Sequence, residues 1–276
     1  MIKVTVLLEN DSIDSNKFLP DHGLSMSIEY NKKNILLDVG AGNLFVHNAK
    51  MLNIDLEKID YSVLTPAHKE HTQGLKYFLE INKTAPVYIM DKVGSKYYIK
   101  FSEFKVPIGM KLNKKYFSRI TEIKEDTKLG ENIFFLKNIT HKYTLSTFDK
   151  LLYKQEDGQL VRDTFDHEGI LVIEDNNELV IFSPCSINGV LNIISTVMEK
   201  MPNKKIRSYV GGLHLINIVN HLHENNEYLD KLIEKLKKSN IIFYTGHCTG
   251  KYAVDYMNKK LHNRVKEIKT GMVIHV

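Results

Sequence analysis

Short apolar runs in this chain repeatedly end in turns that carry histidine or cysteine. Tyr61-Ser62-Val63-Leu64 leads into Thr65-Pro66-Ala67-His68-Lys69-Glu70-His71-Thr72-Gln73-Gly74, and Leu75-Lys76-Tyr77-Phe78-Leu79 follows at helical spacing. Glu178 to Ser183 leads into Pro184-Cys185-Ser186. Arg207-Ser208-Tyr209-Val210 leads into Gly211-Gly212-Leu213-His214-Leu215, and Ile241-Ile242-Phe243-Tyr244 into Thr245-Gly246-His247-Cys248-Thr249-Gly250. Strands that alternate with turns and helices make an α/β protein, a mixed sheet covered by helices. Ligands in such folds bind beyond the carboxyl ends of strands. His71, Cys185, His214 and His247 all gather there, and that clustering marks a site rather than a set of solvated turns.

The remaining elements follow from the same patterns. Ile2 to Leu8 alternates as a strand. Met26 to Tyr30 and Ile35-Leu36-Leu37 form a hairpin across the polar turn Asn31-Lys32-Lys33-Asn34. Leu44, Phe45, Ala49 and Leu52 recur at helical spacing, and Pro86 to Met90 is a strand. Ile133 to Leu136 is another. Gly169 to Glu174 and Glu178 to Ser183 form a second hairpin around Asp175-Asn176-Asn177. A helix spans about Val190 to Met201. Thr249 is placed to N-cap a helix running to about Leu261, and Val273 to Val276 closes as a strand.

No linker, repeat or low-complexity run divides the chain, so residues 1–276 read as a single domain with an insertion at about 92–128. There Tyr97, Tyr98, Phe101, Phe104, Tyr116 and Phe117 punctuate a lysine-rich segment. They suit either an aromatic-lined insertion over a ligand site or a satellite core under a long loop, and scattered aromatics favour the core.

Composition excludes several classes. Of the 276 residues, 43% are apolar and 26% charged, as in globular proteins. No apolar run approaches the roughly 20 residues of a membrane span. The N-terminus has no signal-peptide layout, and two cysteines build no disulfide framework. A cytoplasmic protein is expected, without a membrane partner. The net charge of +5, from 38 basic and 33 acidic residues, is weak ground for nucleic-acid binding. The lysines of Lys231 to Lys238 lie opposite the stripe Leu229, Leu232, Ile233 and Leu236, as on a solvated helix. A small anionic substrate is the expected partner, and a homodimer is compatible with the sequence.

Six pieces resemble the metallo-β-lactamase fold superfamily, and within it the subfamily named after a dihydropterin–ribofuranosylaminobenzene-phosphate synthase. They are Asp21-His22-Gly23-Leu24-Ser25, Leu37-Asp38-Val39-Gly40, His68 to Leu75, Ser183 to Ile187, Gly211 to Leu215 and Gly246 to Gly250. They cover almost the full length in the expected order. The resemblance implies a four-layer αββα sandwich with mixed sheets and a metal site at one edge. Where the family's first histidine stands, this chain has Pro66. Glu70 replaces an aspartate, and Ile187 replaces the histidine of Gly-Cys-Ser-His. Of the first metal position only His68 remains. The second is implied as Glu70, His71 and His247, which together would hold one divalent metal, with zinc foremost and iron or manganese as alternatives.

His68, His214 and Asp38 are the implied catalytic neighbours, for proton transfer and support of the ligands. His22, His214, Cys185 and Cys248 are the implied substrate-side residues. Each retains a plainer reading. His68 can hydrogen-bond locally, Asp38 can orient a histidine or cap a turn, and His22 can be a turn residue. The cysteines can be small buried groups. His221 and His223 read as a solvated loop, and Asp166 and Glu168 have no assigned role. The resemblance implies a metal-dependent hydrolase or transferase acting on a small anionic, phosphate- or pterin-like substrate. The alternative is a degenerate relative that binds a ligand or partner without catalysis.

Overall fold

The structure, a computed structural model, describes residues 1–111, 113–217 and 221–276. In chain order, β1 (Lys3–Leu8), β2 (Ser25–Tyr30) and β3 (Lys33–Leu37) are followed by α1 (Leu44–Met51), β4 (Tyr61–Leu64), α2 (Lys69–Thr72) and α3 (Leu75–Ile81). Next come β5 (Val87–Met90), β6 (Tyr97–Phe101), β7 (Phe104–Pro107), β8 (Ile120–Ile123), β9 (Thr127–Gly130) and β10 (Ile133–Leu136). Then follow β11 (Leu152–Glu156), β12 (Gln159–Arg162), β13 (Ile170–Asp175), β14 (Glu178–Phe182) and α4 (Val190–Lys200). The chain continues through β15 (Lys205–Val210), α5 (Asn226–Leu236), β16 (Ile242–Thr245), α6 (Lys251–Lys260), β17 (Val265–Glu267) and β18 (Val273–His275). These elements form two compact units. One contains Met1–Lys124, Leu151–His167 and Lys269–Val276; the other contains Glu125–Lys150 and Glu168–Ile268.

The first unit holds a seven-stranded sheet in the order β18-β1-β2-β3-β4-β5-β8. Its β2–β3 hairpin closes on Asn31 and Lys32, both with left-handed φ of 47° and 63°. Such a two-residue turn matches the twist of an antiparallel pair, and it is tighter than the four-residue turn read from the sequence. From β3 onward the strands run parallel. All four residues of β4 are buried, which accounts for its unbroken apolar reading. A second, four-stranded antiparallel sheet in the order β12-β11-β6-β7 belongs to the same unit.

That small sheet accounts for the part of the aromatic segment that holds Tyr97, Tyr98, Phe101 and Phe104. Tyr97 and Ile99 are buried with Leu152 of β11, whereas Phe101, Phe104 and Phe117 remain 60%, 77% and 53% exposed. The inner end of β6 is therefore core, and the tip of the β6–β7 hairpin projects into solvent.

The second unit holds the seven-stranded sheet β17-β16-β15-β14-β13-β10-β9. Asn176 and Asn177 close its β13–β14 hairpin with φ of 52° and 65°, as the sequence predicts. Ile181, Tyr209 and Phe243 from neighbouring strands pack with Ile193 and Val197 of α4, Leu229 and Ile233 of α5, and Met257 of α6. Helix α5 buries Leu229, Leu232, Ile233 and Leu236 and leaves its lysines in solvent.

One expected cap is absent. Gly250, with φ of 74°, precedes α6, and no side chain caps that helix. The Thr249 hydroxyl instead accepts the Leu213 N–H at 2.9 Å and lies 2.5 Å from the Thr245 hydroxyl. It is already committed to joining the turns after β15 and β16. No helix among the described residues is long and apolar enough to cross a membrane.

Gly211 follows β15 with φ of 139°, and a Cβ there would collide with the Ser183 carbonyl oxygen. Its N–H donates to Tyr244 at 2.9 Å. Gly211→Ala is expected to remove about 2–3 kcal/mol of folding stability, read as a lower urea midpoint with an unchanged slope.

Candidate functional site

In the first unit the site begins where β3 ends. Asp38 sits there in a left-handed conformation, φ 52°, fully buried. Its carboxylate accepts the Thr65 N–H at 2.9 Å and the Thr65 hydroxyl at 3.1 Å. Its Oδ2 also lies 2.7 Å from His71 Nδ1. Burial raises the Asp38 pKa against the pull of His71 and Thr65. With a proton on Nδ1 facing Asp38, the His71 lone pair lies on Nε2. This is the carboxylate–imidazole arrangement that prepares histidine to bind metal. The turn after β4 is not a bare loop but the short helix α2, which carries Glu70 and His71. Close backbone approaches hold it: a Cβ on Gly23 would strike the Glu70 carbonyl, and one on Gly74 would strike that of Val39.

Glu70 Oε1 lies 3.5 Å from His68 Nδ1. Burial pushes Glu70 up, yet the hydrogen bond with His68 and the nearby imidazoles hold it well below the usual carboxylate range. Glu70 is therefore an anion. His68 is 2% exposed, and burial keeps its pKa below the ordinary histidine value. The segment after β7 clamps this turn: Lys69 N–H donates to Ile108 at 2.7 Å, and Met110 N–H donates to Ala67 at 2.8 Å. Two residues that the sequence does not single out join His68. Asp163 and His167 follow β12, both buried, and each offers a ligand atom within 4.8 Å of the others and of one on His68. His22 is exposed, with Nδ1 3.4 Å from the Asn10 side-chain nitrogen.

In the second unit the site residues again follow strands. His247 takes a left-handed φ of 50° just after β16 and is buried. A ring nitrogen of His247 lies within 4.8 Å of Cys185 Sγ. Cys185 and Cys248 are not disulfide-bonded, and their sulfurs are 3.8 Å apart. The His214 N–H points at Cys248 Sγ, 3.3 Å away. Glu168 gains a clear role: its carboxylate accepts the N–H groups of Ile187 and Asn188 at 2.9 and 2.8 Å. It thereby fixes the turn that follows Cys185. His223 stacks on Tyr252 with ring centroids 3.7 Å apart. Together with His221 it lies at the surface, as a solvated loop would.

His214 is also buried, and its Nδ1 lies 2.7 Å from Asp149 Oδ1. The contact is an ion pair whose angles fall outside hydrogen-bond geometry. Burial pulls the imidazole down, but the charge of Asp149 outweighs it and lifts His214 to about 9. Burial holds Asp149 above its ordinary value as well, and we place the proton on the imidazole, which has the acid partner beside it. Asp149 carries no motif in the sequence. Of the expected residues, the first unit thus pairs Asp38 with His71 and His68 with Glu70. The second brings Cys185 near Cys248 and His247.

No family model matches the chain. A 7,8-dihydropterin-6-methyl-4-(β-D-ribofuranosyl)-aminobenzene-5'-phosphate synthase of Methanocaldococcus jannaschii is 29% identical over 291 residues, 99% of this chain and 96% of its own. A crystal structure of a metal-dependent hydrolase of the β-lactamase superfamily matches with a TM-score of 0.83 at 23% identity, covering 100% of this chain and 99% of its own. The metallo-β-lactamase fold protein YhfI of Bacillus subtilis matches with a TM-score of 0.57 at 12% identity, covering 100% of both chains. The chain has the metallo-β-lactamase fold. Both the synthase and the metal-dependent hydrolase it resembles are enzymes.

The His214–Asp149 pair sets a pH dependence. Folding raises His214 from 6.5 to about 9, so the folded state holds a proton that the unfolded chain releases between those values. The stabilisation is whole below about pH 6.5 and is lost as pH rises through about 9. In urea titrations across that window, His214→Gln should lose this decline, and the stability gap between wild type and variant should narrow as pH rises.

Proposed function

We propose that this chain is a metal-dependent hydrolase or transferase acting on a small anionic, phosphate- or pterin-like substrate. The observation that carries the reading is the buried Asp38–His71 pair at 2.7 Å, which leaves the imidazole in the tautomer a metal ligand needs. Glu70 supports it as a buried carboxylate kept ionised by its neighbours. His247 joins them on the strength of its Gly-His-Cys-Thr-Gly motif. A divalent ion on Glu70, His71 and His247, with zinc first and iron or manganese as alternatives, would supply Lewis acidity and lower the pKa of water from about 15.7 towards roughly 7.

The chain's own residues divide the remaining work. Asp38 orients His71 and holds the proton on its Nδ1. His68 positions Glu70 through its Nδ1. His214, protonated at neutral pH through Asp149, is assigned to the anionic substrate, with Cys185 and Cys248 beside it and His22 at the surface. Two unbridged thiols 3.8 Å apart suit the reducing cytoplasm, where we place the protein.

A second reading, a relative that binds without catalysis, has one observation of its own. Ile187 is completely buried and its N–H is bound to Glu168, so an apolar residue is built into the core where the family places a ligand.

Elemental analysis after purification without chelator separates the two. Glu70→Gln, His71→Ala and His247→Ala should each lose about one equivalent of transition metal. Asp38→Asn should weaken metal affinity by roughly 10–100-fold. A protein that takes up no zinc, iron or manganese would leave only the binding reading.

A further inference from the structure

His68 Nε2 is a buried nitrogen with no hydrogen-bond partner. Its other ring nitrogen faces Glu70 Oε1 at 3.5 Å, so with the proton on Nδ1 the lone pair lies on Nε2. A buried lone pair with nothing to accept is costly. Around it stand Asp163, 1% exposed at its side chain, and His167, fully buried. The three residues present ligand atoms within 4.8 Å of one another. The rings of Tyr97 and Phe165 lie 4.3 and 6.5 Å from that of His167 and wall the cluster from water.

We propose that His68, Asp163 and His167 hold a zinc-type divalent ion at a centre of their own, separate from the Glu70–His71 set. Two imidazoles and one carboxylate are a common donor set for zinc, cobalt and related ions. Two of the three donors have a supporting bond in place. Glu70 fixes the tautomer of His68, and Asp163 accepts the N–H of Phe165 at 2.8 Å. The role that follows is a staple. Asp163 and His167 close the β11–β12 hairpin segment, residues 151–167, and the ion ties that segment to the turn after β4.

Uptake carries a proton rearrangement. The Ala67 N–H donates to His167 Nδ1 at 3.1 Å, so the ring proton sits on Nε2 and faces Asp163 Oδ2 at 3.1 Å. Coordination through Nε2 moves that proton to Nδ1, and the Ala67 N–H gives up its bond there. Asp163 exchanges an imidazole proton for the ion, and no net proton is released by His167.

The wild-type protein and the variants Asp163→Asn, His167→Gln and His71→Ala are to be stripped, reloaded with Zn2+ and analysed for metal. The expected result is about one equivalent less in Asp163→Asn and in His167→Gln than in wild type, with the His68 centre kept in His71→Ala. Loss of all metal in both Asp163→Asn and His71→Ala would mean one shared centre, and unchanged metal in Asp163→Asn and His167→Gln would mean no centre there; either overturns the separate site. Should the variants fold poorly, anomalous diffraction at the zinc edge from wild-type crystals decides the matter. A peak between His68 Nε2, Asp163 and His167 supports the centre, and a bridging water there refutes it. The Glu70–His71 reading stands or falls separately, on the equivalent lost in His71→Ala.

Discussion

The buried carboxylate of Asp38 is the interaction on which the first unit's site depends. It binds Thr65 by backbone and side chain and faces His71 Nδ1 at 2.7 Å. It therefore joins the end of β3, the end of β4 and the short helix α2 in one place. A carboxylate with no exposed surface is costly to bury and tolerable only when satisfied. Asp38 is satisfied on both oxygens. Its left-handed backbone is a further local strain that such partners hold in place. The consequence is a histidine whose tautomer and direction are settled before any ligand arrives.

The second unit solves the same problem with a different carboxylate. Glu168 takes the N–H groups of Ile187 and Asn188, which no strand or helix satisfies. It fixes the turn after β14 as Asp38 fixes the turn after β4. His214 and His247 then share an unusual trait: both sit at left-handed φ, 52° and 50°. Strained residues cluster at functional sites, and here they fall on two of the histidines that the motifs single out.

Much of this was legible in the chain. Hairpins announced themselves because Asn31 and Asn176 tolerate positive φ between apolar runs. The strand-end histidines announced themselves because their turns follow continuous apolar segments. Other features left no periodic trace. The small sheet escaped notice because β11 and β12 mix aromatic, charged and amide residues, with only Leu152 and Lys154 buried. Thr249 looked like a cap because its hydroxyl precedes a helix; the tertiary partner that claims it, Leu213, lies 36 residues away in sequence. Asp163 and His167 went unread because their companion is so distant, 100 residues separating His167 from Ala67. The one signal was weak, an acid four residues before a histidine that is itself flanked by Asp166 and Glu168.

The first unit is assembled from three separate pieces of chain. Strand β1 pairs with β18 through Lys3–His275, Val4–Ile274 and Thr5–Val273, and the β6–β7 pair needs β11 beside it. During synthesis, then, the earliest-made residues cannot finish folding early. Strands β1 to β5 emerge and wait with an open edge at β1 until residues 269–276 are made, while both pieces of the second unit are complete once residue 268 is out. Such long-range closure is slow and leaves pairing edges exposed. The unit whose synthesis begins first is therefore the unit whose sheet closes last.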